Sequence, residues 1–176
     1  MKQKIEEEAE KILLKNYESY YRLAYSYVKN EQDALDIVQE SAYRVIKECR
    51  KLREKTYLST WIYRIVINAS IDFIRKQKQV SVSLDEVEIP HEDHYKEEDY
   101  LELLNPLEEK DRTIVILKYI EEWKLEEIAE ILEMNVSTVK ARLYRALKKL
   151  KIVLEPEATE ERKEQLLWNT VTKKNC

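Results

Sequence analysis

The most regular hydrophobic pattern in the chain lies between Leu125 and Leu150, and it predicts two helices joined by a short turn. Apolar residues recur three or four positions apart, first at Leu125, Ile128, Ala129 and Leu132 and then at Val136, Val139, Leu143, Ala146, Leu147 and Leu150. Between the stripes, either Asn135 or Ser137 can cap the second helix by accepting a hydrogen bond from its free N–H groups. This length and pattern are typical of a helix-turn-helix.

The second of these helices is basic wherever it is charged. Its charged residues from Ser137 onward are Lys140, Arg142, Arg145, Lys148, Lys149 and Lys151, with no acid among them. A helix that is apolar on one face and positively charged on the others suits a polyanion.

Six more helical patterns precede this pair, and the last two of them are a short helix from about Glu97 to Leu104 and a helix from Glu108 to Trp123. A polar helix is predicted from about Lys2 to Lys15, and a tyrosine-rich helix follows from Tyr17 to Val28. After a turn and cap near Asn30, a longer helix runs to about Leu52, and another runs from about Ser59 to Gln79. The apolar stripe of the third helix is Ala34, Ile37, Val38, Ser41, Val45, Cys49 and Leu52, and that of the fourth is Trp61, Ile62, Ile65, Ala69 and Phe73.

Composition extends this picture to an all-α chain of two small helical domains. The 176 residues include no glycine and only three prolines, which argues against sheets with tight turns. We expect a domain at 1–79, an acidic flexible linker at 80–96, a helix-turn-helix domain at 97–154 and a C-terminal tail at 155–176. No apolar run is long enough to span a membrane and the first segment is too acidic for a signal peptide, so we expect a cytoplasmic protein.

Charge is distributed unevenly along the chain. The formal net charge of −4 is unusual for a nucleic-acid binder, but the charged residues at 44–78 are mostly basic and those at 80–109 are almost all acidic. Two basic blocks therefore flank an acidic connector, and the location of positive charge matters more than its total.

Two sets of motifs in this order resemble the extracytoplasmic-function (ECF) alternative sigma factors of bacterial RNA polymerase. The first half carries residues similar to the family's region two, at Asp36–Glu40, Thr60–Asn68 and Asp72–Arg75. The second half carries residues similar to region four, at Leu107–Arg112, Glu126–Ala129 and Val136–Ala146. A lone helix-turn-helix occurs in many repressors, but the paired motifs at this spacing are more specific.

The chain departs from the family just before the helix-turn-helix. Glu122 and Lys124 stand where the family often has a glycine and a serine, which removes an easy left-handed turn and a good cap. We expect a differently built loop there, with Trp123 packed inward.

The resemblance implies that the second basic helix enters the major groove of the minus-35 promoter element. Lysine and arginine can read guanine there, and other residues grip phosphate. The residues at matching positions are Ser137, Thr138, Lys140, Ala141, Arg142, Tyr144, Arg145 and Lys148. A solvated helix face is an equally simple interpretation of Lys148, Lys149 and Lys151.

The resemblance also implies that the first domain binds the minus-10 element as single-stranded DNA. The candidate residues are Arg53, Lys55, Tyr57, Trp61, Arg64, Asn68, Arg75 and Lys76. Asn68 matches the family's base-reading asparagine, with an ordinary exposed helix residue as the alternative. For Trp61, core packing is favoured over DNA contact because it lies on the apolar stripe.

The partners implied by the resemblance are core RNA polymerase, through its beta-prime and beta subunits, and promoter DNA. Asp36, Gln39 and Glu40 match the family surface that docks on the beta-prime coiled coil, where complementary charge sets encounter rate and register. The acidic connector would imitate RNA in the polymerase, or it is an ordinary disordered linker. An anti-sigma factor, often membrane-bound in the family, would hold the protein inactive until a stress signal, and the active form would lie at the nucleoid.

Two other classes of function compete with this interpretation. A free-standing helix-turn-helix regulator would bind palindromic half-sites as a dimer. An enzyme is disfavoured, because the only metal-like cluster, His91 and His94 with Glu92 and Asp93, lies in the predicted linker, and a glycine-free chain has no phosphate-binding loop. We therefore expect no catalytic residue, no metal and no cofactor.

Overall fold

The computed structural model describes residues 2–52, 55–81 and 99–154. The expected tail at 155–176, almost all of the expected linker at 80–96 and the histidine cluster lie outside the described residues. Arg53 also lies outside them, as does the side chain of Lys55. The described residues form helices, turns and short connections, without strands, so the all-α prediction is confirmed.

Four α-helices build the first group. They are α1 (Lys2–Lys15), α2 (Tyr17–Val28), α3 (Glu31–Glu48) and α4 (Leu58–Ser81). Two short 3-10 turns, Cys49–Lys51 and Lys55–Tyr57, lie between α3 and α4, so the third helix ends a few residues before the predicted Leu52. The predicted stripe of α3 is buried from Ala34 to Cys49, because its members share the face turned toward α2 and α4.

The second group contains four helices, of which the first three are short. They are α5 (Asp99–Glu102), α6 (Glu109–Val115), α7 (Leu125–Ile131) and α8 (Val136–Leu154). The helix predicted to run to Trp123 instead widens into a π-helical turn, Ile116–Ile120, which closes when the Glu121 N–H donates to the Ile116 carbonyl at 3.0 Å. On α8 the predicted stripe is inward except for Leu147, which is 38% exposed.

The loop before α7 corrects one prediction from the sequence. Glu122 has φ 58°, so the left-handed turn forms without a glycine, at the steric cost that a Cβ carries there. Lys124 takes the N-cap position of α7, and its N–H donates to the Glu127 carboxylate at 2.9 Å, which is the half of a capping box that needs no serine. Trp123 is half-buried, as expected, against the ring of Tyr63.

The two groups are in direct contact and share one continuous apolar core. Helix α2 packs against α6, and α4 packs against α7. The contacts are polar as well as apolar, since side chains of α2 and α4 bond to side chains and a carbonyl of the second group, and Arg112 of the second group donates to a carbonyl of α2. No helix in the described ranges is long and apolar enough to cross a membrane.

The start of α3 gives a test of this fold. The Asn30 side chain accepts a hydrogen bond from the Asp33 N–H at 2.9 Å. Replacing Asn30 with alanine removes this cap and should lower the free energy of unfolding by about 1 kcal/mol, measured by urea unfolding followed by circular dichroism. Gln32→Ala, at an exposed position on the same helix, is the control and should change the free energy of unfolding by less than about 0.5 kcal/mol. Equal effects would contradict the capping role.

Candidate nucleic-acid interface

Helix α8 presents one uninterrupted exposed face at its N-terminal end. Val139 and Leu143 anchor the opposite face in the core, which turns the intervening residues outward. Seven of the eight predicted minus-35 residues on this helix are exposed. One is Ala141, and the other six are polar or charged: Ser137, Thr138, Lys140, Tyr144, Arg145 and Lys148. Tyr144 is 75% exposed, an unusual environment for a large aromatic side chain.

Arg142 differs from the other candidates because it is turned back into its own domain. Its Nη1 lies 2.7 Å from a carboxylate oxygen of the buried Asp111, and its side chain is only 25% exposed. Arg145 lies 3.4 Å from the other oxygen of the same carboxylate but is much more exposed. Asp111 on α6 therefore fixes the orientation of α8, and Arg142 contributes more to that positioning than to the exposed face.

The first group places several of its predicted minus-10 residues on the exposed side of α4. Asn68 and Lys76 are exposed, and Arg75 is exposed with its guanidinium 2.9 Å from Asp72 one turn earlier. Tyr57, in the preceding 3-10 turn, is 47% exposed. Trp61 is partly buried against the core, consistent with the packing role favoured from its stripe position.

Arg64 is the one candidate on α4 that the second group holds. Its Nη1 lies 3.0 Å from a carboxylate oxygen of Glu133, and its Nη2 donates to the Glu130 carbonyl at 2.5 Å. Glu133 occupies the turn of the helix-turn-helix in a left-handed conformation, φ 53°. The arrangement therefore directs a cation of the first domain into the end of α7 rather than toward solvent.

A buried carboxylate, Glu121, connects the two groups next to Arg64. One oxygen lies 3.1 Å from the Arg22 guanidinium, and the other accepts from the Tyr63 hydroxyl at 3.2 Å. The Tyr63 ring packs edge-to-face on Trp123, with centroids 5.1 Å apart. Burial, with a smaller effect of the Glu121 charge, raises the pKa of Tyr63 to about 12, so the hydroxyl keeps the proton that it donates.

Arg112 forms another connection between the two groups. Its buried guanidinium donates to the Ser26 carbonyl on α2 at 2.6 Å and to the Leu104 and Leu107 carbonyls of its own domain. Burial lowers the pKa of Arg112 from its usual value, although an arginine stays charged. Nearby, the Tyr27 hydroxyl lies 2.5 Å from Thr113, and burial raises its pKa to about 12.

The predicted polymerase-docking residues lie together on α3. Asp36, Gln39 and Glu40 are all exposed along one ridge of the helix. Asp36 accepts a hydrogen bond from Gln32 at 3.2 Å, and Glu40 pairs with Arg44 at 3.5 Å. Pairs this exposed contribute little to stability, so both carboxylates remain accessible to a basic partner.

Three residues that sequence reasoning did not select organise this region: Asp111, Arg112 and Glu121. Arg112 belongs to a quoted motif, but its role as a buried donor to three carbonyls has no periodic signal. Glu121 follows the π-helical turn, and nothing in the sequence marks that turn. Within the described ranges, no group of three or more histidine, cysteine or acidic residues is arranged to hold a metal ion.

Comparison with protein families gives two matches, in the same order as the two helical groups. Residues 12–80 match the model of Sigma-70 region 2, and residues 97–150 match that of Sigma-70, region 4. Together these matches cover more than half of the chain.

Individual relatives agree with these matches. The chain is 47% identical over 144 residues to the RNA polymerase sigma factor SigV of Bacillus subtilis, across 80% of this chain and 87% of that protein. It is 36% identical over 151 residues to the ECF RNA polymerase sigma factor SigW of the same organism, across 74% and 80%. Among solved structures, the sigma factor RpoE of Bartonella quintana, in complex with the anti-sigma factor NepR, has the same fold, with a TM-score of 0.71, 21% identity and coverage of 84% and 97%.

The exposed face of α8 can be tested with duplex DNA and the full chain. In a plot of log binding constant against log salt concentration, the negative slope for Lys140→Ala should be less steep by about 0.9, because one phosphate contact is lost. Fluorescence anisotropy over a salt series measures this slope. Lys11→Ala, at an exposed position on α1, makes the same charge change and should leave the slope unaltered. If the two variants behave alike, Lys140 does not contact DNA.

Proposed function

The chain belongs to the ECF sigma factors of bacterial RNA polymerase, and we propose that its two helical groups read the two elements of one promoter through the residues described above. As a sigma factor it directs core polymerase to promoters and starts transcription there. The observation that carries the residue-level proposal is the exposed, acid-free face of α8, which is found on the same chain as the exposed polar side of α4.

The N-terminal half of α8 enters the major groove of the minus-35 element. Lys140 and Arg145 are the cations with the length and exposure to reach guanine O6 and N7 or a phosphate. Ser137 and Thr138 lie in the first turn of the helix, where short hydroxyl side chains approach the DNA backbone closely. The ion pair with Asp111 supports a smaller DNA contribution from Arg142, which steadies the helix instead.

The exposed side of α4 engages the separated strand of the minus-10 element. Asn68 offers both donors and acceptors to the edge of an unstacked base. Arg75 and Lys76 lie further along α4, where positive charge would follow the backbone. Tyr57 is exposed at the start of this helix and offers a ring on which a base could stack, a contact typically worth about 1–3 kcal/mol.

The ridge of Asp36, Gln39 and Glu40 docks on the basic coiled coil of the polymerase beta-prime subunit. Its exposure and its negative charge support this assignment. We further propose a cytoplasmic location, with the active protein at the nucleoid, and regulation by an anti-sigma factor. The solved relatives RpoE and CnrH are bound to the anti-sigma factors NepR and CnrY, respectively. The protein acts as an initiation factor rather than an enzyme.

The expected strength of the DNA contacts indicates that the protein needs core polymerase to bind a promoter tightly. A single small helix that neutralises a few phosphates binds DNA with a dissociation constant of about 10⁻⁴ to 10⁻⁶ M at physiological salt. Two such modules gain affinity jointly only when something fixes their spacing, and core polymerase supplies that frame. A free-standing regulator would need a dimer instead, and the family matches do not favour this alternative.

Transcription in vitro tests the proposal directly. Core polymerase free of other sigma factors should produce new, defined start sites on genomic fragments when this protein is added, because the holoenzyme brings both modules onto one promoter. Mapping transcript 5′ ends with and without the protein measures this. Heat-inactivated protein is the control, and an unchanged set of start sites would refute the proposal.

The docking ridge has its own test. Glu40→Lys places a cation against a basic partner and should weaken binding to core polymerase about tenfold, as measured by surface plasmon resonance. Glu18→Lys makes the same charge change at an exposed position on α2 and should bind as the wild type does. If Glu18→Lys weakens binding equally, the effect is one of net charge and the ridge is not the docking surface.

A further inference from the structure

Asp111 on α6 is a buried carboxylate that contacts two arginines of the exposed helix α8. Its side chain is only 7% exposed, and its two oxygens are divided between those arginines. One oxygen accepts a hydrogen bond from Arg142 Nη1 at 2.7 Å, and the other lies 3.4 Å from Arg145 Nε. Because residues three positions apart are neighbours on a helix surface, one carboxylate can reach both side chains.

The two arginines differ in their exposure to solvent. The Arg142 side chain is 25% exposed and that of Arg145 is 62% exposed. The short bond from Arg142 holds the buried carboxylate in one orientation, which fixes the position of its second oxygen. That oxygen lies beside Nε of Arg145, the guanidinium nitrogen nearest the main chain. Arg145 is therefore restrained near its base, while most of its side chain remains open to a ligand.

A restrained arginine favours base reading over phosphate binding. The planar guanidinium can bind guanine O6 and N7 together only when it faces the edge of the base. An unrestrained arginine can turn instead to the nearest phosphate, which adds affinity without sequence information. Restraint before binding also reduces the side-chain freedom that is lost on binding. The carboxylate beside Arg145 should therefore affect which sequences are bound more than the affinity for DNA in general.

From this geometry, and resting on the proposed function of α8, we propose that Asp111 is a positioning residue for promoter recognition. Its carboxylate orients the Arg145 guanidinium toward one guanine of the minus-35 element, and Arg145 makes the contact. Asp111 is buried and negatively charged, so it acts through Arg145 and does not bind DNA itself. A residue of α6, outside the helix-turn-helix, thus takes part in the choice of promoter.

Transcription by holoenzyme from a promoter library tests this positioning role. The probe is a promoter at which the wild-type protein starts transcription, with each base pair of its minus-35 element changed in turn to the other three. Arg145→Ala should abolish a preference for guanine at one base pair, which identifies the base that Arg145 reads. A bidentate contact discriminates between bases by about 5- to 150-fold. Asp111→Asn should weaken the guanine preference about threefold at that base pair and leave the preferences at the other positions unchanged.

Two further measurements separate positioning from a general effect of charge or of helix packing. Glu109→Gln, at an exposed position on α6, makes the same charge change and should keep every base preference. Asparagine at position 111 still offers Arg142 an acceptor oxygen, and Arg145 is retained. The affinity of the full chain for a mixed-sequence duplex should therefore not fall, and its salt dependence should match that of the wild type. A displaced α8 would instead weaken this binding and lose preference at every position.

A second variant guards against misfolding of the first. Asp111→Asn leaves the largely buried Arg142 without its carboxylate, which costs stability. Adding Arg142→Gln removes both charges and leaves two neutral amide groups in their place. Measured against Arg142→Gln alone, this double variant should show the same threefold loss at the same base pair. In an Arg145→Ala background, Asp111→Asn should have no further effect there, because the two residues act as one unit.

The library also separates the positioning role from the function on which it rests. An unchanged guanine preference in both variants of Asp111 would overturn the positioning role, and so would an equal loss at every position of the element. In both cases the assignment of Arg145 stands if Arg145→Ala still alters one base pair. If Arg145→Ala changes no base preference, the DNA-reading role of Arg145 fails, and the positioning role of Asp111 fails with it.

Discussion

The packing of the two helical groups against each other depends on the hydrogen-bond partners of one buried carboxylate, Glu121. Glu121 lies at the end of a π-helical turn, where the wider coil and the left-handed residue that follows leave it facing the first helical group. The donors described for it, Arg22 and Tyr63, belong to the other group. Because a buried charge must be satisfied, this local distortion of one helix links the two groups into a single body.

The contact between the two groups is polar as well as apolar. The shared surface mixes an aromatic pair, Tyr63 and Trp123, with ion pairs and with the Ser26 carbonyl, which accepts from Arg112. Polar groups of this type regain hydrogen bonds to water on separation, whereas a purely apolar surface would expose itself at about 25 cal/mol per Å². The polar contacts therefore make the interface specific.

The helices of each group could be predicted from the sequence, whereas the contact between the groups could not. Periodicity reports which face of a helix is buried, and the stripe from Ala34 to Cys49 is buried as predicted. It does not report which neighbour covers that face. The sequence therefore makes Arg64 a candidate for DNA binding but does not predict its contact with Glu133. Glu122 illustrates a second limit, because surrounding contacts imposed a left-handed turn where the residue type argued against one.

The candidate DNA-binding arginines share a feature that bears on affinity. Arg64 and Arg142 each face a carboxylate of the chain itself, at 3.0 Å and 2.7 Å respectively. A phosphate that displaces such a carboxylate exchanges one ion pair for another, so the net gain is far smaller than the new contact alone suggests. Lys140, by contrast, is exposed and has no described ion pair to give up. Affinity of the free chain for DNA should then come mainly from α8.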